Sequence, residues 1–169
     1  MEGREVKVYL AGPLGFSEAG RYFYNREFVP QVQALGFAVL DPWALTPRSE
    51  VDAVANMPEV PERRAAWRKL NVKIAARNSA ALDECDAVLA VLDGVDVDSG
   101  TAAEIGYAFA KGKPILGYRG DFRLSADNEG ATVNLQVEYF IRQSGGDIVR
   151  SLAELPGALQ KLATLVPKR

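Results

Sequence analysis

The chain has 169 residues, 48% of them apolar, with 20 Lys and Arg against 22 Asp and Glu. That length suits one domain with a sizeable core, spanning residues 1–169, and a net charge of -2 gives no footing for a nucleic-acid or membrane partner. There is no histidine and a single cysteine, Cys85, which removes Ser-His and Cys-His nucleophile pairs, imidazole acid–base work, the commonest metal ligand and any intrachain disulfide.

The opening "MEGREVKVYL" carries no signal-peptide pattern, and no apolar run approaches membrane-spanning length, so a soluble, cytoplasmic protein is expected. Residues 6 to 12, "VKVYLAG", read as a buried central strand. A helical stretch follows over residues 18 to 35, and Pro30 within it predicts a kink or two helices. "FAVLDP", residues 37 to 42, is a second strand. Residues 43 to 60, with Pro47 and Pro58, read as a long irregular loop, the kind that serves as a lid or an order–disorder segment. A helix is expected from Pro61 to Leu82, with Arg63, Arg64, Arg68, Lys69, Lys73 and Arg77 as a solvated basic stripe. "DAVLAVLD", residues 86 to 93, is a third strand.

Asp98 and Ser99 then offer helix caps, and Gly112 with Pro114 closes the helix. This helix is apolar or small on every face, which predicts burial. Within it stands one acid, Glu104, whose neighbours three and four positions away are Gly100, Thr101, Tyr107 and Ala108. No local Lys or Arg can pair with it, and an unpaired buried carboxylate needs a distant partner or a task. "PILGY", residues 114 to 118, is a fourth strand; a helical piece over "NLQVEYFIRQ", a weak strand at 147 to 149 and a last helix over 152 to 165 complete the chain.

Strands alternating with helices predict an α/β fold, a doubly wound parallel sheet of about five strands, flavodoxin-like or Rossmann-like. Ligands then sit outside the carboxyl ends of the strands. "AGPLGFS" lacks the dinucleotide-binding glycine spacing and no phosphate-loop pattern occurs, so no cofactor is expected. Asp93, Asp96 and Asp98 alone fall short of a metal site. What remains is a carboxylate pair, Asp98 at the helix mouth and Glu104 inside it, with Tyr9 near the same strand ends, an arrangement suited to glycosyl transfer.

In "VYLAGPLGF" (8 to 16), "NSAALDECDAVLAVLDG" (78 to 94) and above all "DSGTAAEIGYAFAKGKPI" (98 to 115), with "VNLQVEY" (133 to 139) more weakly, the sequence resembles the nucleoside 2-deoxyribosyltransferases. Residues 43 to 70 match that family poorly. The resemblance implies that Glu104 is the nucleophile attacking C1′ of a deoxyribose, to give a covalent glycosyl-enzyme. It implies that Tyr9 steers Glu104, that Asp98 binds the sugar hydroxyls, and that Phe16 lies near the base, beside Gly12. It further implies that Asn134 and Gln136 reach a neighbouring subunit's site, so that a homo-oligomer built on dimers acts on a deoxynucleoside and a free nucleobase. Many members place an aspartate, which protonates the leaving base, where this chain has Asn78, and an amide donates no catalytic proton. Two other readings stay open: hydrolysis of deoxynucleosides or their 5′-monophosphates on the same scaffold, and a nucleotide-binding module without turnover.

Overall fold

The computed structural model describes residues 5–167. The reading of residues 1 to 10 as free of a leader pattern therefore rests partly on residues outside those described.

Five strands form one parallel sheet: β1 (Lys7–Ala11), β2 (Ala38–Leu40), β3 (Ala87–Val91), β4 (Ile115–Tyr118) and β5 (Ile148–Val149), in the order β2-β1-β3-β4-β5. That is a doubly wound sheet, the class expected of the sequence, with its switch point between β1 and β3. Every residue of β3 is buried, which is why "AVLAV" can be apolar without alternation. The register pairs Tyr9 with Val88 and with Leu40.

One face of the sheet packs on α1 (Glu18–Phe23), α2 (Val29–Ala34) and α7 (Leu155–Leu165), through Tyr24, Phe28, Val32, Leu155 and Leu159. The other face packs on α4 (Val60–Glu84), α5 (Ser99–Ala110) and α6 (Leu135–Gln143), and it holds Tyr9, Leu82, Ile105, Val137 and Ile141. Alternation along β1 sends Leu10 to the first face and Tyr9 to the second. Tyr9 therefore looks at α5.

Where Pro30 predicts a break, the chain forms a π-helical turn, Tyr24–Phe28, between α1 and α2. The Val29 amide reaches back to the Tyr24 carbonyl. Gly20, Tyr24, Phe28 and Val32 stay buried along this segment.

Two expectations need correction. Residues 43 to 60 are not a structureless loop, because α3 (Arg48–Ala55) occupies their centre. Arg48 pairs with Asp52 one turn on, and Arg77 of α4 reaches across to Glu50 at 2.7 Å and to the Thr46 hydroxyl at 3.3 Å. Arg63 donates to the Met57 carbonyl at 2.6 Å. Two members of the basic stripe thus pin this segment, while Arg64, Arg68, Lys69 and Lys73 are exposed. The helix α5 is also less buried than its composition predicts. Thr101, Ile105 and Ala108 are buried, whereas Ala103 and Ala110 face outward.

Gly146 marks the tightest backbone approach, because a Cβ there would lie 1.6 Å from the Ile115 carbonyl oxygen. Gly146→Ala must push α6 off the entry to β4, and a loss of about 2–4 kcal/mol is expected, read as a fall in urea midpoint.

Candidate functional site

The site is built where β1 and β3 end. The Tyr9 side chain, fully buried on β1, donates its hydroxyl to Glu104 Oε1 of α5 at 2.5 Å, across 95 residues of sequence. That length belongs to a strong hydroxyl–carboxylate hydrogen bond. It also answers what partner an unpaired acid on an apolar helix could have. Among the described residues no donor reaches the other oxygen, Oε2, so one oxygen is held and one is open.

Burial pushes the Glu104 carboxyl above the ordinary glutamate range. The Tyr9 hydroxyl works against that shift, and the nearby charge of Asp98 adds to it. The Tyr9 phenol is itself pushed far up, first by burial and then by Glu104, so it remains a donor at any working pH.

Asp98 caps α5: its Oδ2 accepts from the Thr101 amide at 3.0 Å and from the Thr101 hydroxyl at 3.2 Å. These bonds leave Oδ1 available at the helix mouth. The six-residue separation predicted that Asp98 and Glu104 share one end of the sheet, and the electrostatic effect of one on the other agrees.

The remaining predicted residues fall in different places. Asn78 is half-buried on α4, and its Oδ1 is enclosed without a hydrogen-bond partner among the described residues. An enclosed acceptor without a donor costs free energy unless a ligand supplies one. Gly12 follows β1, and its Cβ would lie 2.9 Å from Val91 Cβ, so close packing of the strand ends accounts for the glycine. Phe16 is 72% exposed beside the same strand end. Asn134 caps α6, its Oδ1 accepting from the Gln136 and Val137 amides, and Gln136 is exposed. No hydrogen bond joins Asn134 or Gln136 to Tyr9 or Glu104 among the described residues.

Three residues enter that sequence reasoning did not single out. Tyr24 donates to Asp41 Oδ1 at 2.8 Å, and the same oxygen accepts from the Trp43 amide at 2.9 Å. Trp43 meets Phe16 edge-on, with ring centroids 4.7 Å apart, and lies over Gly15, where a Cβ would come within 2.2 Å of the indole. The usable signal was Asp41, a carboxylate at the carboxyl end of a parallel strand, where ligands gather. Among the described residues no group of three or more Cys, Asp or Glu is arranged to hold a metal ion, and no helix is long and apolar enough to cross a membrane.

A carboxylate held through one oxygen by a phenol, a capped helix mouth and exposed aromatic rings thus gather at the carboxyl ends of the strands in a parallel α/β sheet, where such folds take their ligands. Residues 8–136 match the family described as nucleoside 2-deoxyribosyltransferase, and the chain belongs to that family, which acts on nucleosides and nucleobases. A curated relative, an uncharacterized protein of Schizosaccharomyces pombe, is 31% identical over 93 residues, which is 53% of this chain and 40% of that protein. The match thus spans less than half the length of that relative. Among solved structures, a conserved protein from Enterococcus faecalis V583 is 26% identical with a TM-score of 0.66, over 93% of this chain and 98% of that one. The 2-deoxyribosyltransferase from Bacillus psychrosaccharolyticus shares the fold, with a TM-score of 0.61 at 21% identity, over 96% of this chain and 98% of that one.

Proposed function

We propose that the protein transfers 2-deoxyribose between nucleobases by double displacement on Glu104. The observation that carries this reading is the Tyr9–Glu104 contact, which fixes one carboxylate oxygen and leaves the other without a donor among the described residues. The free oxygen attacks C1′ as the C1′–N bond to the base breaks, and the electron pair leaves with the base. The resulting glycosyl ester is opened by a nitrogen of an incoming base, which returns the carboxylate and retains configuration at C1′; the departed base anion takes a proton from solvent and the incoming base gives up its N–H proton to solvent, so the exchange is proton-neutral. Asp98 accepts from sugar hydroxyls through Oδ1, and its charge disfavours a phosphate nearby, which favours free deoxynucleosides. Asn78 offers its enclosed oxygen to a base N–H; it supplies no proton. Phe16, with Gly12 behind it, lines the base side.

The assembly belongs to the same reading. Ala103 and Ala110 on α5, and Leu135 and Tyr139 on α6, present apolar surface outward. A second copy covering that surface would bring Asn134 and Gln136 to the neighbouring site.

The test is chromatographic: deoxyinosine or thymidine is incubated with and without adenine. A new deoxynucleoside formed only with adenine is expected. Free deoxyribose without exchange would replace this reading with hydrolysis, and no reaction across purine, pyrimidine and 5′-monophosphate substrates would replace it with ligand binding.

A further inference from the structure

Arg119 is a fully buried arginine whose side-chain hydrogen bonds, among the described residues, all go to main-chain carbonyls. A guanidinium this deep is tolerated only when its donors are met in a fixed geometry. Its main chain sits in the sheet at the end of β4, the Arg119 amide donating to the Val149 carbonyl at 2.8 Å. Its side chain leaves the sheet and crosses to two connections at once. Nη1 donates to the Leu92 carbonyl and Nη2 to the Gly94 carbonyl at 3.1 Å, both on the segment that runs from β3 into α5. Nε and Nη2 donate to the Arg123 carbonyl at 3.2 and 2.7 Å, on the segment that runs from β4 towards α6. A second tie runs parallel to it, from the Asp121 amide to Asp93 Oδ1 at 2.9 Å. Arg123 in turn clasps the Asp121 carboxylate.

The clamped segment ends at the site. Gly94 takes a φ of +129, open to glycine, and its carbonyl is one of the anchored groups. Three residues later Val97 is buried in the core and Asp98 caps α5. Val95 between them is exposed, so the chain from Gly94 to Asp98 is fixed by its two ends and by the Val97 amide on Asp96. Glu104 has a separate hold through Tyr9 and does not depend on this clamp.

We infer that Arg119 is a positioning residue that sets the place of Asp98, and through it the recognition of the sugar's 3′-hydroxyl, without touching substrate. This rests on the sugar-binding role given to Asp98 above. Lysine in its place keeps a charge but cannot bridge both connections from one planar fork.

The experiment compares kcat/KM for a 2′-deoxynucleoside and its 2′,3′-dideoxy counterpart in the wild type, in Arg119→Lys and in Asp93→Ala, which removes the parallel tie with less disturbance of the core. The preference for the 3′-hydroxyl is expected to fall about tenfold in Arg119→Lys, and in the same direction in Asp93→Ala, with the dideoxy rate changed less than about threefold. A parallel fall on both substrates, or an unchanged preference, would overturn the inference. Hydrogen exchange on the same proteins separates it from the reaction itself. Should the wild type exchange neither substrate, the proposed reaction fails. Loss of protection confined to residues 94–101 in the variants then still supports the positioning role, and uniform or absent loss refutes it.

Discussion

Glu104→Ala is expected to lower base exchange by about 10³–10⁵-fold with the far-ultraviolet circular dichroism unchanged, because the covalent route loses its nucleophile while Thr101, Ile105 and Ala108 still seat α5. Quenched mass spectrometry of the wild type with a deoxynucleoside and no acceptor should show one added deoxyribosyl group, and the variant should show none. Full activity in the variant would end the mechanism. The carboxylate also has a stability signature. Its folded-state pKa lies above the ordinary value, first because of burial. The folded chain therefore holds a proton that the unfolded chain has already released. Relative to acid, stability is lost as pH rises from the ordinary glutamate pKa through the folded one. Glu104→Gln should accordingly raise the urea midpoint at pH 7 relative to the wild type and leave it nearly unchanged at pH 4. An equal gain at both values would show that the carboxyl's charge is not what costs stability.

Tyr9→Phe is expected to reduce kcat about 10–10²-fold while shifting the acid limb of the pH–rate profile upward. The direction follows from the hydroxyl, which lowers the Glu104 pKa against the effects of burial and Asp98. Without it the Glu104 pKa rises further, a smaller fraction is ionised across the acid limb, and part of the loss should be recovered as pH increases. The ring itself is buried among apolar neighbours, so phenylalanine keeps its packing. A drop in kcat with an unmoved acid limb would mean that Tyr9 orients Glu104 without tuning it.

What the sequence disclosed follows from how local the signals are. The helix carrying Glu104 could be bounded because Asp98, Gly112 and Pro114 are start and stop signals within a few residues of its ends. The strands could be located, and a doubly wound parallel sheet expected, because buried parallel strands are short apolar runs, while their order came only with the structure. The helix Arg48–Ala55 went unread because it has no wide apolar stripe, and its hold comes from Arg77, which pairs with Glu50 from 27 residues away. Tyr24, Asp41 and Trp43 were silent for the same reason, since their meaning lies in a contact that only the sheet edge brings about. Arg119 looked like any basic residue at a strand end. Nothing local marks an arginine whose partners are carbonyls 25 and 27 positions back in the chain.

The π-helical turn at Tyr24–Phe28 bears on how this chain tolerates changes in length. Gly20, Tyr24, Phe28 and Val32 are buried at a strict spacing of four, whereas an α-helix advances about 40° beyond a full circle with each such step. Three steps would carry Val32 about a third of the way round the axis and out of the core. The underwound turn absorbs that drift. Removing one residue between Tyr24 and Phe28 would restore ordinary winding at the expense of phase, turning either Tyr24 away from Asp41 or Val32 away from the sheet. Point substitutions on the outer side of this segment, at Arg26 or Glu27, should be nearly silent, while a single-codon deletion beside them should not.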